Sequence, residues 1–193
     1  MTTYSPAFIA AFNETMKFEV GPWFNPADPD VISGAYSTPL QRRKVGYVDI
    51  DGDSGGLTKY GIASASNPSA DVKNLTLAGA MDIYYRQYWQ LGLCLQITIP
   101  ITTFHFDSCV NNGVPRAAKM LQQAVGVTQD GQIGPQTLAM VNKQDPRELI
   151  NKLAAIRIAR YHIIVQNNPT QAKFLDGWLS RVTAVQQFSL SQV

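Results

Sequence analysis

A mostly α-helical domain with one small β-hairpin is the fold the sequence predicts, and three observations predict it. Apolar residues recur at helical spacing behind Ser-Pro or X-Pro starts and ahead of glycine stops. Only one stretch, residues 45 to 63, alternates as a strand does before a glycine-rich turn. The 193 residues are 45% apolar and 16% charged, enough to fill the core of one compact domain.

The elements follow in order. Ser5-Pro6 is a helix start, and Phe8, Phe12, Met16 and Glu19 then fall on one face, with Glu19 at the edge of its buried side. Gly21-Pro22 ends this helix. Residues 22 to 45 carry Pro22, Pro26, Pro29, Pro39 and Gly34, and are expected to be irregular; a loop of that length is often functional. "GYVDI" alternates as a short strand and "DGDSGG" is a turn cluster. A second helix is expected from Leu77 to about Trp89, with an aromatic face that includes Tyr84, Tyr85, Tyr88 and Trp89. "ITTFHFDSCVNN" is a buried helix ended by Gly113, and Pro115 opens the next, which Gly126 caps. Pro135 starts a short helix, Pro146 a long one to about Val165, and Pro169 the last.

Bulk properties exclude several classes. No stretch approaches the roughly 18 uninterrupted apolar residues of a membrane helix, so no membrane insertion is expected. The first twenty residues have no basic region ahead of their apolar run, unlike a signal peptide. Synthesis in the cytoplasm, with another route to any external target, is the expectation. A net charge of +2 is too weak to argue for nucleic acid. Cys94 and Cys109 read as two buried thiols, and with His105 and His162 they make no zinc spacing, so no metal and no cofactor are expected.

The chemistry rests on two carboxylates. Alone, Glu19 reads first as a surface residue at a helix edge, and Asp53 as an ordinary turn aspartate. Together they suit glycoside hydrolysis, which needs one carboxyl to protonate the leaving oxygen and often a second to manage water or charge. A helix end gives the acid a fixed, semi-apolar seat. A hairpin would bring Asp53 and Thr58 to the opposite side, and Gly55 and Gly56 allow backbone conformations closed to other residues.

These residues resemble glycoside hydrolase family 108, the phage and bacterial N-acetylmuramidases. "FIAAFNETMKFE" is similar to the family's apolar helix with its closing glutamate. "GYVDIDGDSGGLTKYGI" is similar to its G-Y-V-N-D-P-x-D-P-G-G-x-T-x-Y-G-I segment, matched at Gly46, Tyr47, Val48, Asp53, Gly55, Gly56, Thr58, Tyr60, Gly61 and Ile62. "MDIYYRQYWQ" resembles its I-Y-x-x-x-Y-W segment. "FHFDSCVNNGVPRAAKMLQQAVGVTQDGQIGPQTLAMVN" resembles the half called a peptidoglycan-binding domain, and the likeness runs from about residue 8 to 185. There are three departures: "EVG" for "EGG", the 22–45 insert between Glu19 and Tyr47, and "DIDGDSGG" for "NDPxDPGG". The insert leaves open whether Tyr47 lies beside Glu19.

The resemblance implies a lysozyme-like helical domain with packed C-terminal helices. Residues 1–94 would be the catalytic half, with the insert at 22–45, and residues 95–193 the helical half packed on it. It implies hydrolysis of the β-1,4 bond between N-acetylmuramic acid and N-acetylglucosamine by a monomer whose partner is the peptidoglycan glycan strand. Glu19 would be the general acid and Asp53 the second carboxylate. Thr58 would hold a water, with a wide carboxyl spacing of about 6.5–9.5 Å. Tyr47, Tyr60, Tyr88, Trp89, Asp107 and Asn111 would contact substrate. Tyr88 and Trp89 also read as core aromatics, "FDSCVNNG" as a core helix with a polar cap, and "DGQIGPQT" as a plain turn. A lytic transglycosylase and a non-catalytic wall binder are the alternatives. An endolysin, released through a holin, fits the expected origin in the cytoplasm, where a secreted effector is the other route.

Overall fold

The computed structural model describes residues 3–49 and 55–193. Among the described residues, the expected mostly α-helical architecture with a small two-stranded hairpin is observed. The chain divides into two compact units: Met1–Tyr4 with Phe12–Tyr85, and Ser5–Ala11 with Arg86–Val193.

The first unit takes in the end of α1 (Pro6–Glu19), a helix that begins in the second. Ser5 caps α1, its Oγ accepting from the Phe8 amide at 3.2 Å. Phe8, Phe12 and Met16 are fully buried, and Glu19 is half-buried, as a stripe of spacing four, four and three requires.

The insert is not irregular. It folds as α2 (Pro29–Ser33) and α3 (Pro39–Val45). Asp28 caps α2 and Thr38 caps α3 in a reciprocal capping box with Gln41, each ahead of a proline in the first turn. Gly34 and Gly46 end the two helices in the left-handed region, at φ 74° and 60°. Lys44 ties the helices together, its ammonium 2.8 Å from both Asp28 and Asp30.

Among the described residues, the strand expected over "GYVDI" is reduced to one antiparallel bridge, Val48 to Thr58, and Gly46 is spent on capping α3. The hairpin is β1 (Thr58–Lys59) paired with β2 (Ile62–Ala63). Its turn is Tyr60-Gly61, not the glycine cluster upstream. Both turn residues have positive φ, 53° and 73°, the requirement of a tight two-residue hairpin. Gly56, at φ 64°, packs so closely on Ser64 that a Cβ there would stand 2.6 Å from Oγ. α4 (Leu77–Tyr84) runs on into a π-helical stretch, Tyr85–Gln90. The expected helix is thus present, with a widened last turn.

The second unit is built on α5 (Ile99–Asn112), buried along almost its whole length. α6 (Val114–Val125), α8 (Pro146–Asn167) and α9 (Leu175–Leu190) pack around it, with α7 (Pro135–Val141) on α6. The last helix begins at Leu175, not Pro169, since Pro169–Phe174 forms a 3-10 turn. Phe8, Trp89 and Phe106 meet edge-on with centroids 5.3–5.8 Å apart. Cys94 and Cys109 are free and buried.

Candidate active site

Glu19 is the last residue of α1, and the hairpin comes to it. The Cα of Gly61 approaches so closely that a Cβ placed there would stand 2.9 Å from Glu19 Cβ, 3.0 Å from Glu19 Oε2 and 2.8 Å from the Tyr84 hydroxyl. Only glycine fits this position, for its space and for its φ. Tyr84 donates from its hydroxyl to the Tyr60 carbonyl at 3.0 Å, which fixes α4 to the same turn.

Tyr47 remains beside the helix end despite the insert. A Cβ on Gly46 would lie 3.3 Å from Val20 Cα and 3.6 Å from the Glu19 carbonyl oxygen. From there Val48 exchanges both backbone hydrogen bonds with Thr58, at 2.9 and 2.8 Å, and the Tyr60 amide donates to Val45 at 2.8 Å. Glu19, Tyr47, Thr58 and Tyr60 therefore belong to one constellation. Asp53, with the Glu19–Asp53 spacing, lies outside the described residues.

A cavity of about 380 Å³ opens on this side, lined by Val20, Trp23, Arg42, Arg43, Gly46, Tyr47 and Val48. Tyr47 stacks on Tyr36 with centroids 4.6 Å apart and planes at 2°, and Arg42 lies 5.4 Å over its ring. Burial and the carboxylate of Asp49 push the Tyr47 phenol up from its ordinary value. Trp23 is 52% exposed, a large apolar face on the lining of this cavity. Sequence reasoning missed Trp23, and it named Tyr84 only as part of an aromatic helix face, without its place beside Glu19. Trp23 stands in the insert, and a tryptophan between two prolines was the available signal.

Other expected substrate contacts are corrected by burial. Tyr60 is 0% exposed, and its hydroxyl donates to the Val31 carbonyl of α2. Burial pushes its phenol well up. It braces the hairpin against the insert and offers no surface to a sugar. Lys59 is also buried, its ammonium 4.9 Å from the Tyr36 ring and donating to the Lys73 carbonyl at 3.2 Å. Burial lowers its pKa, against the pull of Asp71. In the second unit Trp89 is 1% exposed, locked between Phe8 and Phe106, so it too cannot stack on substrate. Tyr88 is half-buried in the π-helical turn.

Asp107 is 1% exposed and joins three helices. Its oxygens accept from Arg157 at 2.6 Å and from Arg181 at 2.7 Å. Burial pushes this carboxyl up, and the two guanidiniums more than offset it, so its pKa lies below the ordinary value. Asn111 accepts from the Tyr161 hydroxyl at 2.5 Å, which in turn accepts from Arg157 at 2.8 Å. Both residues expected at a substrate groove are hub residues of α5, α8 and α9. In "DGQIGPQT", the buried Gln122 amide donates to Asp130 at 2.6 Å and accepts from the Gly131 amide at 2.9 Å, so these residues form a pinned turn.

Among the described residues no group of three His, Cys, Asp or Glu side chains is placed to hold a metal ion. No described helix is long and apolar enough to cross a membrane.

Residues 40–113 match the family model described as Glycosyl hydrolase 108, and residues 116–183 match that of a Predicted Peptidoglycan domain. No curated protein matches the chain. Among solved structures, the chain is similar to that of Brucella abortus SagA, with 37% identity and a TM-score of 0.64, over 75% of this chain and 86% of the other. That similarity extends the likeness beyond the two matched segments taken singly, and the chain belongs to glycosyl hydrolase family 108.

Proposed function

We propose that the chain hydrolyses the β-1,4 bond between N-acetylmuramic acid and N-acetylglucosamine, with Glu19 as general acid. At the coarser level it is a glycoside hydrolase and peptidoglycan is its substrate. One observation carries the finer reading: the carboxylate closing α1 is seated against a hairpin turn whose residue 61 must be glycine to admit it. A carboxyl held this way presents its proton in one geometry.

In this reading Glu19 gives its proton to the glycosidic oxygen as the C–O bond breaks. A water then adds to the anomeric carbon and passes its proton to a carboxylate, Asp53 where that group orients the water or the deprotonated Glu19 where Asp53 only stabilises charge. Asp53 orients that water or stabilises the positive charge on the sugar, and Thr58 holds the water from β1. Trp23 and Tyr47 supply apolar contact for the sugar beside the acid. The enzyme would act as an endolysin, made in the cytoplasm and reaching the wall from there.

Glu19→Gln keeps the side chain's shape and removes its proton. The clearing rate of purified sacculi should fall by about 10²- to 10⁴-fold, with an unchanged melting temperature. Mass spectrometry of the wild-type digest should show reducing muramic acid ends. A Glu19→Gln protein that clears sacculi at the wild-type rate refutes the assignment, and anhydro-muramic products refute hydrolysis.

A further inference from the structure

We infer that the groove between α6 and α8 binds the acidic stem peptide of peptidoglycan, holding its carboxylates on Arg116, Lys119 and Arg160. This rests on peptidoglycan being the substrate and adds which part of it the second unit grips. The groove has a volume of about 530 Å³, within the range that compact ligands occupy, roughly 300–1,000 Å³. A smaller recess of about 340 Å³ adjoins it and shares the same three cations.

The charge is unbalanced. None of the three cations forms an ion pair among the described residues. The nearby carboxylate, Asp130, is engaged by the Gln122 side chain and the Gln132 amide at 2.6 and 2.8 Å. Arg160 Nε is buried with no hydrogen-bond partner. Burial and the neighbouring Arg116 both disfavour the Arg160 charge. Asp130 acts on Lys119 at longer range, but no carboxylate pairs with Arg116 or Arg160 among the described residues, and like charges gathered with so little counter-charge suit an anion.

Beyond the cations the groove lining is mostly apolar, with the side-chain amides of Gln123 and Gln129 among it. Met120, Ile156 and Ile163 line it with small alanines, and Ile163 is 54% exposed. Lys119 is held in place, since its stem lies on Gly131, where a Cβ would stand 3.2 Å from Lys119 Cε. A ligand that fits must alternate carboxylates with small alkyl groups. The glycan chain is hydroxyl-rich and lacks that pattern. A stem peptide of alanines, γ-linked glutamate and a diamino acid has it.

The test is calorimetry on the full chain with the tetrapeptide L-Ala-γ-D-Glu-meso-diaminopimelate-D-Ala. The free tetrapeptide should bind, and the form with its carboxylates amidated should bind at least tenfold more weakly. Arg116→Ala with Arg160→Ala should lose at least tenfold in affinity. Lys119→Met, which keeps the stem over Gly131, should lose affinity too, and serves if the double variant misfolds. Equal binding of the amidated peptide, or no binding while sacculi are still cleaved, overturns the proposal and leaves the hydrolase reading standing. Displacement by an equal concentration of inorganic phosphate also overturns it, reducing the groove to a general anion site. Peptide binding without any bond cleavage overturns the hydrolase reading alone.

Discussion

Replacing Gly61 with alanine tests the seat of Glu19, and Gly126 provides the control. Both glycines have φ of 73°. A non-glycine residue there costs about 1–2 kcal/mol. Nothing lies within 4 Å of a Cβ on Gly126, so Gly126→Ala carries the backbone strain alone. At Gly61 the methyl would meet the Tyr84 hydroxyl at 2.8 Å and Glu19 at 2.9 and 3.0 Å. Overpacking of that kind adds about 1–3 kcal/mol. For a chain of this size that increment lowers the melting temperature by about 2–12 °C beyond the control. Relief of the clash has to move Glu19 or Tyr84, and a misplacement of about 1 Å at a reacting group can cost on the order of 10²-fold in rate. Thermal melts followed by circular dichroism, with sacculus clearing well below the lower midpoint, separate the two effects. Gly126→Ala should be less stable and fully active. Gly61→Ala should be still less stable and nearly inactive. Should Gly61→Ala melt with Gly126→Ala and clear sacculi at the wild-type rate, the packing argument for Glu19 fails.

Three further outcomes are expected. Asp53→Asn should melt as the wild type does and lose most of its clearing activity if the carboxylate serves the reaction; retained activity would make it a turn residue. His105 is buried, its Nε2 donating to the Gly92 carbonyl at 3.0 Å, and burial lowers its pKa from 6.5 to about 4. Below pH 6.5 the unfolded chain takes up a proton that the native state refuses, so about 3 kcal/mol of stability should be lost between pH 6.5 and 4. Urea titrations should show this slope, and His105→Gln should flatten it; an equal slope in the variant would place the sensitivity elsewhere. Asp107→Asn leaves Arg157 buried without its counter-charge and should cost about 3–5 kcal/mol by chemical denaturation, where a cost below 1 kcal/mol would show that the triad contributes little.

The long helices were legible because each is long enough to repeat its apolar spacing and is punctuated by proline and glycine. α2 and α3 carry the same punctuation, Asp28-Pro29 to Gly34 and Thr38-Pro39 to Gly46, but five and seven residues give at most two turns and no periodicity to see. At the site, residue types were legible and burial was not. Asp107 and Asn111 have the chemistry of ligand-binding residues, and nothing local announces that Arg157, Tyr161 and Arg181 arrive from two other helices to consume it. Tyr60 was visible as part of a motif, yet its partner, the Val31 carbonyl, lies 29 positions away in the insert.

The meeting of Val20 with Gly46 has an evolutionary consequence. A detour whose two ends touch can be lengthened, shortened or exchanged without moving the chain on either side, and closing a longer loop adds little entropic cost. This detour is not free to vanish alone, however. It supplies the acceptor for a buried phenol and the ring beneath a buried ammonium. A lineage that trims it must therefore change Tyr60 and Lys59 in step, for example toward phenylalanine and methionine. The loop and the hairpin behind it form one heritable pair, while the carboxylate of Glu19 stays where it is.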